Sequence, residues 1–280
     1  MKKLFTWFLV VALILGTIGM AEAEKPDKIN CYEMANMGIA KTLRGRFHVL
    51  IVFIAEQHWD TEDKKQYLEN VVIAEEWLIK QAKRYGVNDL SFKNTFAGLD
   101  YDIIIDKICN GEASEIEKMR VGSNVFQKLG YKSMKEYAYG IKKEFPDCQN
   151  FVALFCCNKP GIGYSEASYY GADDKTFLEW GILYTKYIDE RYDDWIPANI
   201  AHELLHLLGA WDLYEMPGFT REQAEFAKKT FKNEIMRQTY RNFDELEIGP
   251  LTAWRIGLTD KQEDWFYDYA PEYYKKYMSK

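Results

Sequence analysis

Residues Ala201–Asp212 read AHELLHLLGAWD and include His202, Glu203, His206, Gly209 and Asp212. On a helix, side chains four residues apart rise from one face, one turn from each other. His202 and His206 can therefore offer two imidazole nitrogens to a single ion. Glu203 stands beside them, where its carboxylate can act as general base on a water in the ion's open position. Gly209 suits the left-handed backbone that ends a helix sharply. Such a turn can bring Asp212 back as a third ligand. The pattern H-E-x-x-H-x-x-G-x-x-D thus predicts a zinc site of His202, His206 and Asp212 with Glu203 as catalytic base. Three protein ligands plus water is the catalytic arrangement of zinc, whereas four protein ligands would be structural. The competing reading is a buried helix whose histidines are satisfied by core partners. The chain has only four histidines, and two of them fall at this spacing with Glu directly after the first. Gly and Asp then extend the motif where it needs them.

The extended motif resembles that of the metzincin metallopeptidases, H-E-x-x-H-x-x-G-x-x-H followed by a methionine-containing turn. The last position here is Asp212, which is similar to the snapalysin-type relatives that use aspartate there. A carboxylate oxygen is an ordinary zinc ligand, so the metal-binding logic is kept. Further along, Asn233–Gln238 (NEIMRQ) resembles the methionine turn, and Gly249–Leu258 resembles the helix that closes the domain. The likeness spans residues 46–258. It implies an α+β fold: a metzincin-like catalytic domain with a twisted mixed sheet and long helices, one of which carries the zinc. It also implies a Zn2+ cofactor, endopeptidase activity and a protein or peptide substrate. Met236 would lie beneath the ligands without binding the metal. Tyr164–Tyr170 would be an edge strand above the active-site helix, pairing with extended substrate. Metzincins with a catalytic tyrosine place it two residues after the methionine, where this chain has Gln238. Tyr240 and Tyr214 are then the candidates for an extra oxyanion donor. Two other readings compete. A gluzincin-like site would take its third ligand from Glu222 or Glu225 downstream. A non-catalytic surface or binding protein could retain the peptidase fold, although the intact Glu203 argues against that.

Several elements must position these residues. Arg46–Ala55 (RFHVLIVFIA) is apolar on both faces and predicts an internal strand, with His48 as a packed strand histidine. Asp60-Thr61-Glu62-Asp63 supplies a helix cap and negative charge. Leu68, Val71, Val72, Leu78, Ile79, Ala82 and Tyr85 then recur at helical spacing, and Lys83, Arg84 and Gly86 close the helix. Leu90–Phe96 predicts a second strand, while Asp100–Ile108 fits either strand or helix. Ser133 to Glu136 is a capping box opening a helix that ends near Phe145, before Pro146. Asn150–Cys157 (NFVALFCC) predicts a buried strand, Asn158–Gly163 a turn, and Thr176–Tyr187 a further strand. Pro197 opens the zinc helix, where its missing N–H costs nothing. Thr220 and Gln223 cap a short helix that runs through Phe231.

Composition narrows the partners. A chain of 280 residues with 48% hydrophobic content can build one sizeable core. A net charge of −7 without any dense basic run argues against nucleic acid. Residues 1–23 have the form of a signal peptide. Lys2 and Lys3 precede the apolar run Leu4–Met20, and Ala21-Glu22-Ala23 fits a cleavage site. This predicts a secreted, periplasmic or extracellular protein without stable membrane insertion after cleavage. Residues 24–45 read as a lead-in segment, 46–258 as the catalytic domain, and 259–280 as an aromatic tail packed on it. Of the five cysteines, Cys156 and Cys157 are adjacent on a predicted strand, so they point to opposite faces and are not expected to bond each other. Cys31, Cys109 and Cys148 have no assignable pairing, and the odd count leaves at least one thiol unpaired within the chain.

Overall fold

A computed structural model of the chain describes residues 38–167, 177–186, 196–215, 219–240 and 242–270. Residues 1–37, with the expected signal peptide, most of the lead-in and Cys31, lie outside the described residues. So do 168–170 of the expected edge strand, 176 and 187 of the expected strand after it, and 271–280 of the tail.

The described residues form an α+β structure around a mixed sheet. Strand β1 (Arg46–Ala55) is buried at every position after its first, because its apolar run offers a hydrophobic residue to both faces. Helix α1 (Thr61–Arg84) follows. The Asp60 side chain caps it by accepting from the Glu62 N–H, and Lys83 and Arg84 occupy its last turn. Strands β2 (Ser91–Ala97) and β3 (Ile103–Ile104) come next, then helices α2 (Glu115–Lys128) and α3 (Met134–Glu144). Strand β4 (Asn150–Pro160), β5 (Tyr164–Glu166) and β6 (Glu179–Lys186) complete the sheet. Helices α4 (Ile196–His206), α5 (Arg221–Thr230) and α6 (Pro250–Arg255) follow it. No helix among the described residues is long and apolar enough to cross a membrane.

The strand order is β2-β1-β4-β6-β5, with β3 paired to the end of β1. The ladders of β1 with β2, β3 and β4, and of β4 with β6, are parallel; β5 runs antiparallel to β6 at the edge. Alternation divides the core in two. Val49, Ile51 and Phe53 of β1, with Val152, Leu154 and Cys156 of β4, face α1, α4 and α6. Leu50, Val52 and Ile54, with Phe151, Phe155 and Cys157, face α2 and α3. The adjacent cysteines thus point to opposite faces, and Cys109, Cys148, Cys156 and Cys157 are all free and buried.

Two differences from the sequence reading stand out. Strand β4 continues to Pro160, three residues beyond its expected end, so the turn is confined to residues 161–163. A register shift between Cys157 and Pro160 lets the ladder with β6 resume, and a bulge at a strand end tolerates a proline without an N–H. Helix α2 was assigned no element from sequence, although Ser114 and Glu117 form a full capping box at its start. In the region read as strand or helix, only Ile103–Ile104 is regular. His48 is packed as expected: its ring stacks on Phe145 with centroids 4.5 Å apart, and Nε2 lies 3.0 Å from the Thr95 hydroxyl. Burial and the nearby Lys93 hold its pKa down at about 4, so it stays neutral. The aromatic segment Asp264–Tyr269 forms a 3-10 turn, where Trp265 stacks on Phe231 and Tyr269 packs against Phe226 of α5.

Candidate metal centre

Helix α4 carries Pro197 in its first turn and places His202 and His206 one turn apart on a mostly buried surface. Their rings are nearly perpendicular, with centroids 4.6 Å apart. The helix ends in a Schellman turn: the Gly209 N–H donates to His206 O and the Ala210 N–H to Leu205 O. Gly209 takes a φ of 85°, in the left-handed region that a side chain disfavours. Ala210 and Leu205 lie in the same buried cluster, which supplies the apolar contact usual in this motif. The chain reversal then delivers Asp212 to the two imidazoles.

The donor atoms converge. His202 Nε2 and His206 Nε2 are 3.1 Å apart, and Asp212 Oδ1 is 3.2 Å from the first and 3.1 Å from the second. The triangle is close to the one a tetrahedral ion demands: metal–ligand bonds of about 2.0 Å put ligand atoms about 3.3 Å apart. The far nitrogen of each ring is engaged by a backbone carbonyl, His202 Nδ1 by Ile235 O at 3.1 Å and His206 Nδ1 by Ala210 O at 2.9 Å. A carbonyl only accepts, so each neutral ring keeps its proton on Nδ1 and points a bare Nε2 lone pair inward. Two imidazole lone pairs and a carboxylate oxygen without a hydrogen-bond partner therefore face one point, which is electrostatically unfavourable unless a cation sits there. In the metal-free chain a proton can take that role. Burial opposes charge on His206, but the Asp212 carboxylate prevails and holds its pKa up at about 9. Asp212 is held well below the usual carboxylate range; burial opposes this, and the two histidines outweigh it. The donor set fits a divalent ion of the borderline class, zinc included. Among the described residues this is the one group of three such side chains. Glu222 and Glu225 sit at exposed positions of α5 and do not join it.

A surrounding frame fixes the three candidate ligands. Met236 is fully buried in the cluster that includes Leu205, and its carbonyl accepts the N–H of Leu213, next to Asp212. Glu234, also buried, accepts from the N–H groups of Met236 and Gly249 and from the Thr252 hydroxyl, and so ties the Met236 turn to α6. Buried Arg255 donates Nε and Nη2 to Gly209 O, and its guanidinium lies over the Trp211 ring, 4.3 Å from the centroid. Glu234 and Arg255 fall inside the segments read as the methionine turn and the closing helix, with no role of their own expected from sequence. The available signal was a charged residue inside an apolar stretch at each position.

A cleft of about 330 Å3 opens beside the group, and its wall includes His202, Glu203, Gly163, Tyr214, Gln238 and Tyr240. The base candidate Glu203 is thus at the cleft, with both tyrosines singled out from sequence on the same wall. Gln238 is buried and donates from Nε2 to Lys232 O at 2.5 Å. Comparison with the known protein families and with curated proteins finds no match for this chain.

Proposed function

We propose that the chain is a secreted zinc-dependent endopeptidase of metzincin-like type. The observation that carries this reading is the convergence of His202 Nε2, His206 Nε2 and Asp212 Oδ1 within about 3 Å of one another, beside a cleft that also holds Glu203. Bound there, zinc would supply an acidified water and a Lewis acid for a peptide carbonyl. The protein's own groups do the remaining work. His202, His206 and Asp212 fix the site, and the Ile235 and Ala210 carbonyls fix the rings. Glu203 takes a proton from the attacking water and gives it to the departing amine. Among the described residues, strand β5 forms one edge of the sheet and lies against α4 through Ser165 and Glu203. An extended substrate would pair with its backbone, because strand addition binds main chain without requiring a particular sequence. The signal-peptide pattern of residues 1–23 supports export.

The test uses the purified mature protein, metal analysis and cleavage of an unstructured protein, in wild-type and Glu203→Gln forms. The expected outcome is one zinc per chain in both and a loss of hydrolysis by roughly two or more powers of ten in the variant, the scale for removing a general base. Equal turnover in the two forms, or an absence of zinc, would defeat this proposal.

A further inference from the structure

Ser165 is the one residue of β5 whose side chain points at helix α4. Its neighbours Tyr164 and Glu166 project to the opposite face, where Tyr164 packs edge-on against Trp180 and Glu166 lies 4.0 Å from Lys118. The Ser165 hydroxyl is 2.7 Å from Glu203 Oε2 and 3.0 Å from Glu203 O, so its single proton is shared between the carboxylate and the helix backbone. Two glycines make room for this contact. A Cβ on Gly181, the cross-strand partner of Ser165, would stand 3.0 Å from the Ser165 hydroxyl. A Cβ on Gly163 would stand 3.2 Å from Glu203 Oε1.

We infer that Ser165 is a positioning residue for Glu203: it holds Oε2 so that Oε1 remains the oxygen that exchanges the proton at the cleft. The inference rests on the peptidase reading above. Ser165 keeps its own proton throughout. The proton taken from water passes through Glu203 to the leaving amine, so no charge is left on the serine. A carboxylate on a three-bond side chain has several rotamers, and one charge-assisted hydrogen bond selects among them. The serine that does this lies on the strand proposed to receive substrate. Substrate pairing would therefore stiffen the same backbone that orients the base.

The experiment compares zinc-loaded wild type with Ser165→Ala and Ser165→Thr, measuring kcat, KM, zinc stoichiometry, melting temperature and affinity for a peptide hydroxamate. A hydroxamate needs an oriented carboxylate beside the metal to accept its proton, so it reports base position without turnover. Ser165→Ala should keep its zinc and its melting temperature within a few degrees. Its kcat should fall about ten- to a hundred-fold with KM within about two-fold, and hydroxamate affinity should fall in parallel. Ser165→Thr retains the hydroxyl and suits a strand, so it should recover most of the loss. An unchanged kcat and hydroxamate affinity in Ser165→Ala would overturn the inference. So would equal losses in both variants accompanied by lost zinc or stability, since that pattern marks a merely structural role. If wild type binds zinc but hydrolyses nothing, the peptidase reading fails, and the hydroxamate comparison alone decides whether Ser165 orients Glu203.

Discussion

Asp212 faces the two imidazoles from outside the helix that carries them. Each imidazole has its own backbone anchor, on Ile235 or Ala210, so removing the carboxylate leaves both rings in place. Asp212→Ala should therefore fold and lose zinc affinity by roughly a hundred-fold or more, because it removes the one anionic donor. Competition against a chelating dye measures this, and unchanged affinity would show that Asp212 is no ligand. The ligand candidates were legible in the sequence because helical spacing alone brings His202 and His206 together and Gly209 announces the turn to Asp212, and Glu203 was legible from its place in the H-E-x-x-H pattern. Ser165 and Arg255 were not. Their contacts reach 38 and 46 residues along the chain, and local periodicity carries no information about pairs so far apart.

At the level of elements, the closing turn of β4 and the short strand β5 matter most to the site. Gly163 sits where they meet the cleft, and a side chain there would press on both Glu203 Oε1 and Ile182 O, 3.2 and 3.1 Å away. Gly163→Ala should thus keep zinc and lower kcat about ten-fold by displacing the base, a result that zinc analysis and steady-state kinetics would check together. No change in kcat would mean that the loop relaxes without moving Glu203. The strands β1 and β4 were readable from their apolar runs, and α1 from its cap, period and closing basic pair. Helix α2 was not, since its buried stripe is only Val121, Val125 and Phe126 with Gly122, too thin a pattern to stand out, and Ile116 on it is exposed. The extra length of β4 was hidden because Pro160 ordinarily argues against a strand, and only a bulge admits it.

In the molecule as a whole, several carboxyl groups outside the candidate ligand set are buried. Burial pushes Glu179 up to about 8, against the N–H groups of Ile39 and Ala40 and the charge of Lys41, which favour the ionised form. Burial likewise raises Glu75, Glu166 and Glu234 to about 7. A folded-state pKa above the unfolded one means that the native chain holds the proton more tightly. The stabilisation is complete below the unfolded value of about 4.5 and is lost as pH rises through about 7 to 8. Melting temperature should therefore decline between pH 5 and pH 9, and Glu179→Gln should flatten that slope; a wild-type curve rising over this range would contradict the assignment. The two-faced core was legible in β1 and β4, whose residues are apolar at successive positions, but the strand order was not, because parallel partners are joined through distant segments. That last feature also bears on how the chain reaches its native state. Phe47 pairs with Asn150, and Val152 with Glu179, so the central ladder cannot close until a long stretch of intervening polypeptide has been ordered or looped out. Such non-local topology belongs with folding times of roughly milliseconds to seconds rather than microseconds. During that interval the apolar edges of β1 and β4, with Cys156 and Cys157 on the latter, stand unshielded. Unpaired apolar edges and thiols of this kind are open to oxidants and to neighbouring chains until the ladder closes, so slow closure makes the route to the native state a liability separate from its equilibrium stability.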